Sequence, residues 1–101
     1  MKMAAGDVVN ALSSVADDAF LDMQTSGAGE ETVVHNVLFG GAVELYYYDG
    51  SNSIKFDAAS SFGAKLGCVF HNTYTKYYRV KNVSGGSIYI GFDGQITKVA
   101  S

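Results

Sequence analysis

Any imidazole-dependent chemistry in this 101-residue chain must use His35 or His71, the two histidines of the sequence. Nucleophilic catalysis of that kind needs a Ser, Thr or Cys within hydrogen-bond reach of the base, and an acid to orient the ring. Each histidine sits in a stretch of alternating polarity that reads as a strand, and each is followed by an asparagine, Asn36 or Asn72. That setting marks packed or hydrogen-bonded structural residues. The two could meet across a sheet and bind a metal with an acid such as Asp57, but nothing in their spacing demands it.

The other candidates for chemistry fare no better. Cys68 is the single cysteine, so no intrachain disulfide or thiolate metal cluster can form. Its apolar setting, Leu66-Gly67-Cys68-Val69-Phe70, reads as a small buried hydrophobe, and a lone thiol fits a reducing compartment. Gly27-Ala28-Gly29-Glu30 lacks the third glycine and the following helix of a dinucleotide loop, and reads as a turn. The adjacent acids Asp17-Asp18 and Glu30-Glu31 read as solvated surface pairs, and the Asn82-Val83-Ser84 sequon matters only in a secreted eukaryotic protein. No catalytic, cofactor-binding or metal-binding residue is assigned, and a non-enzymatic protein without cofactors is expected.

The surplus that asks for explanation is aromatic, with seven Tyr, six Phe and no Trp. Successive residues of a strand face opposite sides, so Tyr46-Tyr47-Tyr48 and Tyr77-Tyr78 must present tyrosine on both faces of a sheet. Tyrosine suits interfaces because it joins apolar area to a polar tip, and it also stacks on sugars. Tyr46, Tyr48, Tyr74 and Tyr78 are therefore candidate contact residues. Protein contacts are the first reading and a glycan platform is the alternative.

These side chains have to be placed by short elements. Val8, Leu12 and Val15, with Ala19 beyond, are spaced as one face of a helix of about three turns, with Asp7 as its N-cap. An extended arm is the alternative, since Val9, Ala11, Ser13 and Val15 also alternate. The apolar stripe Val8, Leu12, Val15 is too short to be stable alone and is a candidate for contacts with a neighbouring subunit. From Ala19 the period becomes two. Strands are expected over 19–25, 31–39, 42–48, 53–56, 65–72, 74–83, 87–92 and 95–100, with hairpin turns at Asp49-Gly50 and Asp93-Gly94. The reading is an N-terminal helix or arm over 1–18, followed by a β-sandwich domain over 19–101. The fold class is all-β: one antiparallel sandwich, jelly-roll or immunoglobulin-like, of seven to eight strands.

Composition narrows the partners. A net charge of −3 and a pI near 5.1 offer no basic stripe for nucleic acid. No stretch approaches the ~20 apolar residues of a membrane helix, and Met1 to Ala5 carry no leader-like apolar run, so a soluble protein without membrane contact is expected. Residues 1–31 hold six acids against Lys2, whereas the rest holds four acids against six bases. A chain of this polarity can pair head to tail with its own copies, and the absence of proline leaves strand edges without their usual blocker. A homo-oligomer is expected.

Three segments resemble small structural proteins of tailed bacteriophages. They are Ala19 to Asn36, with its Gly-Glu-Glu turn and Val-Val-His-Asn strand; Val43-Glu44-Leu45-Tyr46-Tyr47-Tyr48-Asp49-Gly50; and Tyr78 to Gly94. The resemblance implies a β-sandwich with structural duty in the virion, as capsid decoration or as a small head or tail component. It implies synthesis in the host bacterial cytoplasm and partners among the other virion subunits, and it supplies no active residues.

Overall fold

The computed structural model describes residues 5–99 as nine strands in two antiparallel sheets, a β-sandwich. One sheet has the order β1 (Val8–Val15), β9 (Ile88–Lys98), β3 (Glu31–Phe39) and β6 (Gly63–Lys65), with β7 (Phe70–Asn72) also paired to β3. The other has the order β2 (Phe20–Asp22), β8 (Tyr77–Asn82), β4 (Val43–Tyr48) and β5 (Ser53–Ala59). Alternation along the strands, shifted by one residue at His35 in β3, turns Val34, Val37, Phe39, Ile90 and Phe92 from the first sheet onto Val43, Leu45 and Val80 from the second. Met23, just past β2, completes the core.

The helix expected over residues 7–18 does not form. Val8 to Val15 pair in unbroken register with Gln95 to Ile88. Strand geometry then divides the expected stripe: Val15 is 6% exposed in the core, while Val8 and Leu12 are 67% and 70% exposed on the outer side. A short helix is marginal in water, whereas β9 offers a full row of backbone partners. The alternation of Val9, Ala11 and Val15 is the pattern the fold uses, with all three packed inward.

Three further expectations change. No turn forms at Asp93-Gly94, because β9 runs straight through both residues. Gly94 is needed for close approach instead, since a Cβ there would collide with the backbone of Val33 and Val34 in β3. The single strand expected over 65–72 is split by Gly67, whose φ is 70°, into β6 and β7. Tyr74 lies in the turn closed by Thr73 N–H donating to the Lys76 carbonyl, and not in β8. Ala100, the expected end of the last strand, lies outside the described residues.

The Asp49-Gly50 hairpin forms as expected. Gly50 has a φ of 100°, and Asp49 Oδ1 accepts from the Ser51 and Asn52 N–H groups at 2.9 and 2.7 Å. These backbone donors hold the Asp49 carboxyl below its ordinary value.

Two buried asparagines tie the sandwich together. Asn82 Nδ2 donates to the Val15 and Gly86 carbonyls at 2.8 and 2.7 Å, and its Oδ1 accepts from Ser84 N–H at 2.9 Å. Asn72 Nδ2 donates to the Phe70 carbonyl at 3.0 Å, and its Oδ1 accepts from Tyr78 N–H at 2.9 Å. Both side chains are fully buried, so the Asn82 sequon is closed to modification in the folded protein.

Candidate functional site

The outer face of the four-stranded sheet gathers most of the candidate tyrosines. Register places Tyr46 opposite Arg79 and Tyr48 opposite Tyr77, while Asp22 of β2 lies opposite Arg79 on its other side. The Arg79 guanidinium stacks over the Phe20 ring at 4.0 Å and donates from Nε to Asp22 Oδ1 at 2.7 Å. Phe20 meets Tyr46 edge to face at 5.4 Å, and Tyr48 meets Tyr77 at 5.2 Å. The result is a packed layer of four aromatic rings and one arginine, the residue types enriched at the centre of protein interfaces.

This layer is electrostatically organised. Tyr46 Oη donates to Glu44 Oε1 at 2.7 Å, which lowers the Glu44 pKa and raises that of Tyr46. Lys55 Nζ reaches Glu44 Oε2 at 3.3 Å. Burial raises the Tyr77 phenol. At one end of the layer Gln24, Tyr48, Gly50, Tyr74, Thr75 and Tyr77 line an open cleft of about 240 Å³. Gln24 Nε2 donates to the Tyr74 carbonyl at 2.7 Å.

Tyr78 does not join this face. It points inward and stacks on Phe70 with ring centroids 4.3 Å apart, flanked by Tyr47 at 5.0 Å and Phe56 at 5.7 Å. Burial raises its phenol pKa. The structure therefore brings Tyr46, Tyr48 and Tyr74 to one side of the molecule and sends Tyr78 to the other side of the same sheet. Tyr77, Phe20 and Arg79, which are not among the candidate contact residues, complete the face; the register of β2 and β8 is what puts them there.

A second surface lies on the outer face of the five-stranded sheet. Leu12 and Leu38 are register partners of Gly91 from either side, so a channel floored by Gly91 runs between them. The channel continues into a depression lined by Leu12, Leu38, Phe62 and Tyr89. These side chains are 70%, 45%, 78% and 63% exposed. Asp93 is the charge nearest the channel, and it is tied to Asn36 Nδ2 at 2.6 Å. Leu38 and Tyr89 are legible from alternation alone, each standing between two inward residues, although neither was expected as a contact residue.

His35 lies on β3, His71 is exposed on β7, and Cys68 lies between β6 and β7. The register of β3 on β9 skips His35; its ring Nδ1 lies 3.1 Å from the Cys68 carbonyl, and its own carbonyl accepts from Cys68 N–H at 2.7 Å. His71 pairs with Val33 on β3. Cys68 is half-buried, and that burial raises its thiol pKa. Among the described residues no group of three or more His, Cys, Asp or Glu is arranged to hold a metal ion. A scan against protein-family models matches no family, and no curated protein shows significant similarity to the chain.

Proposed function

We propose that the protein is a non-enzymatic structural subunit of a bacteriophage virion, a capsid decoration protein or small head–tail component, acting through contacts with neighbouring subunits. The observation that carries the assembly reading is the group of Leu12, Leu38, Phe62 and Tyr89 around the depression that continues the Gly91 channel. It exposes large apolar side chains in one place, as surfaces that dock against other proteins do. The virion setting rests on the resemblance of residues 19–36, 43–50 and 78–94 to small tailed-phage structural proteins.

Quantitative mass spectrometry of particles from the chain's own source is expected to find the protein at a stoichiometry matching capsomers or a head–tail ring. The double variant Leu38→Asp, Tyr89→Asp is expected to keep its β-type circular dichroism and lose incorporation. Absence from particles, or full incorporation of the variant, would overturn the reading. A second reading, glycan binding, is favoured by one feature: Tyr48, Tyr74 and Tyr77 share a cleft with the Gln24 amide. Glycan-array binding abolished by Tyr74→Ala would support it over the first.

A further inference from the structure

The phase of the backbone hydrogen bonds on β9 determines what the edge of β1 offers. Gly6 N–H donates to the Ile96 carbonyl at 2.6 Å, and Ile96 N–H donates to the Asp7 carbonyl at 2.9 Å, so the polar groups of Ile96 point toward β1. Gly40 N–H donates to the Tyr89 carbonyl at 2.9 Å, so those of Tyr89 point the other way, toward β3. Backbone groups alternate sides along an antiparallel strand. Ile88, Ile90, Phe92 and Gly94 therefore bond their register partners Val15, Ser13, Ala11 and Val9. The N–H and C=O groups of Val8, Asn10, Leu12 and Ser14 are left facing away from β9, where no other strand pairs with β1 among the described residues.

This edge has none of the devices that keep strands apart. Its sequence, Val-Val-Asn-Ala-Leu-Ser-Ser-Val, holds no charge and no proline, and its register with β9 runs without a bulge. It is also self-complementary. Turned antiparallel about Leu12, the segment Val9 to Val15 matches Val9 with Val15, Asn10 with Ser14, Ala11 with Ser13, and Leu12 with itself. The residues that meet there as hydrogen-bonded pairs, Asn10 with Ser14 and Leu12 with Leu12, are those whose backbone groups face the free edge. No like charges meet within the paired stretch. Asp7 and Asp17 lie beyond it, matched with one another in this register, and the Asp17 carboxylate accepts from Gly85 N–H at 2.9 Å.

We propose that β1 pairs antiparallel with β1 of a second copy of this chain, Leu12 against Leu12, joining two five-stranded sheets into one. The contact buries Leu12, 70% exposed in the single chain, and brings the two Leu12–Leu38–Tyr89 surfaces side by side. Self-pairing needs no virion, so it goes beyond the assembly reading, and its test on the isolated chain can fail or succeed independently of incorporation into particles.

Sedimentation equilibrium and native mass spectrometry of the full chain are expected to show a dimer. Asn10→Lys with Ser14→Lys sets like charges directly opposite each other twice, and is expected to weaken association about tenfold or more. Asn10→Lys with Ser14→Glu sets opposite charges in the same places and is expected to restore it. Both positions are exposed, so each variant is expected to keep its β-type circular dichroism. In a Cys68→Ser background, Leu12→Cys is expected to give an oxidised, disulfide-linked dimer, and Ser14→Cys is not, since its symmetry mates stand apart in this register. A monomeric wild-type chain, a dimer indifferent to the paired lysines, or failure of the lysine–glutamate variant to recover association overturns the proposal.

Discussion

Among the described residues each sheet of the sandwich ends in a long strand with one unpaired side, and the two edges are built differently. β5 carries Lys55 and Asp57, held by Glu44 at 3.3 Å and Lys65 at 3.1 Å. Its register with β4 slips between Leu45 and Tyr46, leaving Phe56 as an extra residue that bends the strand. Charges and a bulge are two of the standard means by which an edge strand avoids another chain. β1 has neither. The contrast teaches that exposure alone does not mark an interface in this molecule: β5 is exposed over most of its length and guarded, whereas β1 is straight, uncharged and matched to itself.

The largest effect that tests this comparison concerns how each side is fastened to the body. Asn82→Ala would remove three hydrogen bonds, to the Val15 and Gly86 carbonyls and from the Ser84 N–H, and is expected to cost about 3 kcal/mol in urea unfolding. Asn72→Ala, at the end of β7, removes two hydrogen bonds and is expected to cost less, about 2 kcal/mol. A reversed order would mean that the β1 side does not depend on its buried amide.

Next in size is Phe56→Ala. Phe56 is 47% exposed but meets Phe70 and Tyr78 edge to face at 5.8 and 5.7 Å, so its loss is expected to cost about 1 kcal/mol. Leu12→Ala should leave the stability of the isolated monomer nearly unchanged while weakening the dimer. Equal melting losses in the two variants at low concentration would erase the distinction between a guarded edge that packs and a free edge that waits for a partner.

The smallest expected effect is the response of the β4–β5 side to acid. The Tyr46 hydroxyl holds Glu44 below its ordinary value of 4.5, so the contribution of this pair is complete above that pH and is lost as pH falls below it. Tyr46→Phe removes the principal cause and is expected to flatten stability slightly across that acid range, as read from melting temperatures. An unchanged acid slope would show that the pair does not contribute to holding the β5 side.

Much of this architecture is legible in local sequence. β3 spans Glu31–Phe39, where alternation and the flanking glycines put it, and the Asp49-Gly50 hairpin follows from turn chemistry. The candidate site is less legible. Tyr46 and Tyr48 share a face by alternation, but Tyr77 reaches that face only through the register of β8 on β4, and Tyr74 through the turn before β8. Tyr78, one residue from Tyr77, is committed to the core by the same alternation.

The sequence by itself determined the periodicity, the turns that need positive φ and the absence of charge between Val8 and Val15, because each is a property of neighbouring residues. Only the tertiary structure decided that Val8 to Val15 is a strand, that Gly94 serves close approach to β3, and which backbone groups of β1 remain without a strand partner. Those outcomes depend on β9, some eighty residues along the chain, whose row of hydrogen-bonding groups outweighs the weak local preference for a helix.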